Sequence, residues 1–174
     1  MKSADRNMSE GDYLRVVFHK TASLIAAASE TGAVLAGAGA SVRRKMFEYG
    51  RSVGIAFQLV DDILDYVGSE KELGKRPLQD LREGKITLPL IHALREARVS
   101  DRERAGEILG RRKCSEREIS FLSAMVARNG GLEYTKRRAL SYVARGKRFL
   151  ASLPESPARD GLEFLSDYIV SRTR

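Results

Sequence analysis

Apolar residues return every three or four positions along most of the chain, which is the period of an α-helix. Between Ser41 and Val67 the series Met46, Val53, Phe57, Val60, Leu64 keeps spacings of three, four and seven. It predicts a helix that starts at Ser41 as its cap. Residues 10–39 read as an earlier helix rich in Ala, Leu, Ile and Val, opened by Ser9 with Asp12 three residues on. Its small residues, Ala22, Ala26, Ala27, Ala33 and Ala36, predict a face that another helix can approach closely. Residues 68–82 break the pattern with glycines, a proline and charges, and read as a loop.

A third helix is predicted from about Gly84–Leu88, where Pro89 is tolerable because first-turn N–H groups lack helical partners. Ser100 and Ser115 are placed to cap two more, over 101–110 and up to the stop signal Asn129–Gly130–Gly131. A helix over 132–152 follows, then a last one that begins at Pro157. No segment alternates with the period of a strand. The expected fold class is all-α, a helical bundle.

Composition narrows the function classes. A length of 174 residues predicts one domain that folds without disulfides or metal. The single cysteine, Cys114, excludes a disulfide framework and a cysteine-based zinc site. Its neighbours Arg111, Arg112 and Lys113 could lower the thiol pKa, but the expected reading is an incidental loop thiol. The most apolar stretch, Ala22 to Ala40, is interrupted by Ser, Thr, Glu and Gly, and the N-terminus has no apolar h-region. A cytoplasmic protein with at most peripheral membrane contact is expected. The net charge is +8, of which +7 lies in residues 98–174. The basic clusters Lys136–Arg137–Arg138 and Arg145–Lys147–Arg148 lack interleaved aromatics and match no DNA-binding motif, so no nucleic-acid partner is predicted.

The chemistry concentrates in residues 54–91. Taking Asp61 as zero on a helical wheel, Asp65 lies at about 40°, Gln58 at about 60° and Asp62 at about 100°. Three carboxylates and an amide thus share one strip. Like charges so close repel, and a hard divalent cation would offset the cost. Mg²⁺ takes oxygen ligands and typically joins one or two carboxylates to substrate phosphates. A solvated acidic face without a ligand is the other reading of a bare D-D-x-x-D. Lys20, Lys75 and Lys85 could serve as point charges for a diphosphate, or be ordinary surface lysines.

FQLVDDILDY, then GK, then DLREGKITLPLI, resembles the second half of the trans-isoprenyl (polyprenyl) diphosphate synthases. HKTASLIAAASETGAVLAG is similar to their lysine–threonine helix, and LASLPESPARDGLEFLSDYIVSR to their C-terminal helices. The resemblance covers residues 1–174 and implies the second half of the isoprenoid-synthase fold. It implies Mg²⁺ as cofactor, with Asp61, Asp62 and Asp65 as the metal motif and Asp80 supporting it from behind. Lys20, Lys75 and Lys85 would hold the diphosphate of an allylic prenyl substrate. Thr21 and Gln58 would lie near the developing allylic cation. The implied reaction is head-to-tail condensation of isopentenyl diphosphate with that substrate.

The chain departs from the family pattern in two ways. No second pair of aspartates is present, and the basic residues that hold isopentenyl diphosphate are missing too. The expectation is one metal site instead of three, no turnover by this chain alone, and self-association, as a homodimer, through exposed helix faces. A non-catalytic partner of a chain that bears the missing half is the alternative expectation. Second, the family often has glycine where Leu78 stands, and Arg76 intervenes between Lys75 and Pro77.

Overall fold

The helical period predicted along the chain is realised in a computed structural model that describes residues 8–68, 76–111 and 113–172. In order these form α1 (Glu10–Val17), a π-helical turn (Phe18–Ala22), α2 (Ser23–Leu35) and α3 (Ala40–Val67). Then come α4 (Gln79–Arg82), α5 (Leu88–Glu96), α6 (Val99–Leu109), α7 (Glu116–Arg128), α8 (Gly131–Leu150) and α9 (Pro157–Ser171). No strand occurs among the described residues, so the all-α expectation holds. None of the described helices is long and apolar enough to cross a membrane.

Contacts divide the chain into two units. One holds residues up to Tyr13 together with Asp61–Thr135. The other holds Leu14–Val60 and residues from Lys136 onward. The helix α3 contributes to both, changing unit between Val60 and Asp61.

The first unit is built on α7. Its start is set by Ser115, whose hydroxyl accepts from the Glu118 N–H at 3.3 Å while Glu118 Oε2 accepts from the Ser115 N–H at 2.8 Å. This reciprocal cap satisfies two donors that a helix start otherwise leaves unpaired. The apolar face of α7, with Ile119, Leu122, Met125 and Val126, is buried against α4, α5 and α6. Leu81, Leu90, Ala93, Ala105 and Ile108 complete that core. At the edge of the unit, α4 is tied to α7 by Arg82, whose guanidinium grips both oxygens of Glu116. A cavity of about 390 Å³ lies among Met8, Ile86, Leu88, Ile91 and Leu94, with Glu10, His92, Arg95 and Tyr134 supplying its polar groups. The His92 and Tyr134 rings stack there at 4.0 Å.

The second unit is held by small residues and one buried phenol. Ala22 and Ala26 are fully buried, as the predicted small-residue face requires, and Ala33 is buried. Ala27 and Ala36 are exposed instead. A Cβ on Gly54 would stand 2.7 Å from Ala22 Cα, and one on Gly50 would stand 2.6 Å from the Ile25 carbonyl oxygen. Glycine is therefore what lets α3 approach the π turn and α2 backbone to backbone. Tyr49 donates its hydroxyl to the Leu162 carbonyl at 2.9 Å, joining α3 to α9.

Several predicted boundaries need correction. The helix expected over 10–39 is interrupted by the π turn at Phe18–Ala22. Ser41 is not a cap: α3 already starts at Ala40, and the Gly39 carbonyl accepts from Val42 and Arg43. Ser100 is not a cap either, because α6 starts at Val99 with Arg98 as its N-cap. The predicted loop contains the short helix α4. Ser9, Ser115 and the Asn129–Gly130 stop behave as expected, with Gly130 at φ +66°.

Candidate functional site

The three aspartates share one strip of α3, but their surroundings differ sharply. Asp62 and Asp65 are 3% and 1% exposed, whereas Asp61 is half-buried. A buried carboxylate needs hydrogen bonds to offset its lost hydration. Asp62 receives one from the Tyr13 hydroxyl of α1 through Oδ2. Asp65 Oδ2 accepts from the Asp80 N–H at 3.0 Å, and its main-chain carbonyl accepts from the Leu78 N–H at 2.7 Å. Thus the second half of the strip anchors the following segment, at the first turn of α4.

That anchor continues outward. Lys85 Nζ contacts Asp80 Oδ1 at 3.1 Å and Glu83 Oε2 at 2.6 Å. The hydrogen bond to Glu83, with Asp80 adding, raises the ammonium pKa above its ordinary value, so Lys85 is a fixed cation at neutral pH. Burial, with Asp62 and Asp80 nearby, pushes the Tyr13 hydroxyl well up, so it stays a donor. Burial likewise raises the Tyr66 hydroxyl one residue after the strip.

Leu78 shapes the entry to this anchor. Its φ of 61° lies in the left-handed region, which glycine adopts readily and a leucine does not. The position is the one at which glycine was expected from the family pattern. Leu78 keeps the glycine-like backbone and packs its side chain at the edge of the first unit's core. The strain costs about 1–2 kcal/mol.

The second unit carries Lys20, Thr21 and Gln58. Lys20 is exposed on the π turn, and Thr21 donates to Gln58 Oε1 at 3.1 Å. The extra residue that a π turn inserts is common at functional positions. Gln58 lies three residues before Asp61 on α3. Lys75 lies outside the described residues.

Sequence reasoning found the carboxylates but missed Tyr13, whose role depends on a contact 49 positions away. A tyrosine on the apolar face of α1 was the only local signal. Cys114 is not an activated thiol. Burial, with Glu118 adding, raises its thiol pKa and outweighs the lowering by Arg111, in keeping with an incidental loop thiol.

Whether this strip suits a divalent cation can be judged from its donors. They are all carboxylate oxygens, the ligands of a hard ion such as Mg²⁺. Two are steadied by hydrogen bonds from other residues, as ligating carboxylates commonly are. No three acidic, histidine or cysteine side chains converge on one point among the described residues. That arrangement fits an ion held by one or two carboxylates plus phosphate oxygens, and not a closed protein cage.

The Polyprenyl synthetase family model matches residues 1–126. The short chain isoprenyl diphosphate synthase of Methanothermobacter thermautotrophicus is 38% identical over 166 residues, covering 95% of this chain and 50% of its own length. The octaprenyl diphosphate synthase of Escherichia coli is 36% identical over 174 residues, covering 100% of this chain and 54% of its own. A polyprenyl synthase from Caulobacter crescentus, solved with calcium and isoprenyl diphosphate, superposes with a TM-score of 0.92 at 40% identity, over 100% of this chain and 53% of that one. The chain spans about half the length of the relatives it matches. With an aspartate strip on a long helix, an all-α fold and relatives that match it nearly end to end, the chain belongs to the polyprenyl synthetase family.

Proposed function

We propose that this chain carries the allylic-diphosphate part of a prenyl-transferring site. The reaction is condensation of isopentenyl diphosphate with an allylic prenyl diphosphate. The observation that carries the reading is the braced strip: Asp61 half-exposed, Asp62 and Asp65 buried and hydrogen-bonded. Rigid carboxylates cost little reorganisation when a charged ligand arrives. Membership of the family and the relative solved with calcium and isoprenyl diphosphate support the same reading.

Asp61 would hold Mg²⁺, with Asp62 and Asp65 ligating it or holding its water. When bound, Mg²⁺ supplies positive charge that neutralises the departing diphosphate. The protein's own residues do the rest. Lys20, an exposed ammonium, binds diphosphate oxygens as a point charge. Lys75 takes the same role. Lys85 keeps Asp80 neutralised, and Asp80 in turn holds Asp65 through its N–H. Thr21 orients the Gln58 amide, whose carbonyl dipole favours positive charge developing on the allyl group.

The test is calorimetric titration of the 174-residue chain with inorganic diphosphate, with and without Mg²⁺. Asp65→Ala is a poor control, because it would also release the segment at Leu78–Asp80. Asp61→Asn is the clean one. Binding that needs Mg²⁺ and weakens at least about tenfold in Asp61→Asn is expected, the loss typical of a metal-site change. Equal binding in the absence of Mg²⁺, or by Asp61→Asn, would refute the assignment.

A further inference from the structure

Tyr13 has no part in the mechanism proposed above beyond offsetting the lost hydration of Asp62. Tyr13 is 5% exposed, sits in the middle of α1, and donates its hydroxyl to Asp62 Oδ2, itself 3% exposed. A tyrosine needed only for packing could be a phenylalanine. Asp65 Oδ2 accepts from a main-chain N–H, that of Asp80. At Asp62 a side-chain donor from a distant helix meets the middle carboxylate of the strip.

We infer that Tyr13 is a positioning residue for the metal motif, fixing the rotation of the Asp62 carboxylate so that its other oxygen is set toward a divalent cation. This deepens the reading above and rests on it. The physical argument has three steps. A hydrogen bond from a neutral hydroxyl to a carboxylate is stronger and more directional than one between neutral groups. Held at Oδ2, the carboxylate can no longer turn about its Cβ–Cγ bond without breaking the bond in a site from which water is excluded. The direction of Oδ1 is therefore set before any cation arrives. The Asp65 carboxylate is held in the same way at one oxygen, by the Asp80 N–H.

The segment that carries Tyr13 strengthens the case. Its helix is fastened at its start by the reciprocal Ser9–Asp12 cap, in which the Asp12 N–H donates to Ser9 Oγ at 3.1 Å. Glu10 accepts from the Tyr134 hydroxyl of α8 at 2.6 Å, within the same unit. The phenol thus projects from a helix anchored at its first turn.

The experiment measures Mn²⁺ binding by electron paramagnetic resonance of the free ion, in the presence of inorganic diphosphate, for the full chain. Tyr13→Phe keeps the ring and removes only the hydroxyl. It is expected to weaken Mn²⁺ binding about tenfold, the lower end for loss of a partner behind a metal ligand. In an Asp62→Asn background the same substitution is expected to change nothing further, because its effect passes through that carboxylate. A Tyr13→Phe chain that binds Mn²⁺ as tightly as the wild type, or a second loss of the same size in the Asp62→Asn background, overturns the inference.

A second measurement needs no variant. The ¹³C resonance of Tyr13 Cζ in the wild-type chain is expected to shift when Mg²⁺ saturates the site, since the cation draws charge from Asp62. An unmoved resonance at saturation overturns the inference even if Tyr13→Phe fails to fold. Failure of the underlying reading looks different: the wild-type chain then binds no Mn²⁺ that Asp61→Asn abolishes, and the Tyr13 assignment falls with it.

Discussion

Gly54→Ala tests how closely α3 approaches the π turn. In an exposed helix interior, glycine to alanine is stabilising by about 1 kcal/mol, because alanine loses less backbone entropy. At Gly54 the new methyl would stand 2.7 Å from Ala22 Cα and 2.9 Å from Ala22 Cβ. One of these is a main-chain atom, so no rotamer change relieves the clash. The π turn has to move by several tenths of an ångström against a close-packed interior. Overpacking of this kind costs about 1–3 kcal/mol, typically enough to exceed the propensity gain.

The expected net effect is a loss of about 1 kcal/mol, or about 2–4 °C in Tm for a chain of this size. Gly106→Ala on α6 is the matched control, because nothing lies within 4 Å of its Cβ position. There the propensity gain stands alone and Tm rises by about 2–4 °C. Thermal melts followed by circular dichroism compare the two directly. Ala22 adjoins Thr21, so Gly54→Ala should also disturb the hydrogen bond between Thr21 and Gln58. A Gly54→Ala chain that gains as much Tm as Gly106→Ala would refute the backbone-to-backbone approach.

Two other predictions follow from named contacts. Tyr49→Phe removes the donor to the Leu162 carbonyl and should lower stability by about 1 kcal/mol in urea unfolding, with an unchanged m-value. For Glu118, the Ser115 N–H and then its hydroxyl hold the carboxyl below its ordinary pKa. The folded value is depressed, so the cap's contribution is present above the unfolded pKa and is lost as pH falls through the folded one. Ser115→Ala should raise the Glu118 titration, followed by NMR, only part of the way to the ordinary carboxylate value, because the alanine keeps the N–H that contributes most.

The parts of the fold that were legible before the structure are those set by neighbours in the chain. Ser115 with Glu118 is a capping box because both partners lie within one turn, and Asn129–Gly130 ends α7 for an equally local reason. The π turn was not legible. It shifts the helical phase by one residue, yet Phe18–Ala22 contains no glycine or proline to mark a break. Ser41 and Ser100 are good capping residues that lose to main-chain groups one or two positions earlier.

The candidate site divides in the same way. The wheel placed Asp61, Asp62 and Asp65 on one strip, which the long α3 preserves. It could not separate them, because which carboxylate is buried depends on the Tyr13 helix and the Leu78–Asp80 segment. The left-handed backbone at Leu78 was invisible in a leucine, and surfaced only as a departure from the family's habit of glycine.

The double attachment of the Leu78–Asp80 segment to Asp65 also marks time. Two amide protons, those of Leu78 and Asp80, are held by one residue of α3, the first by its carbonyl and the second by its carboxylate. Neither can exchange with solvent until its own bond opens. The opening events are not equivalent. The Asp80 amide is released by rotation of one side chain, whereas the Leu78 amide is released only when the backbone pulls away. The pair is a built-in two-hand clock, one hand recording side-chain motion in the aspartate strip and the other recording departure of the whole segment.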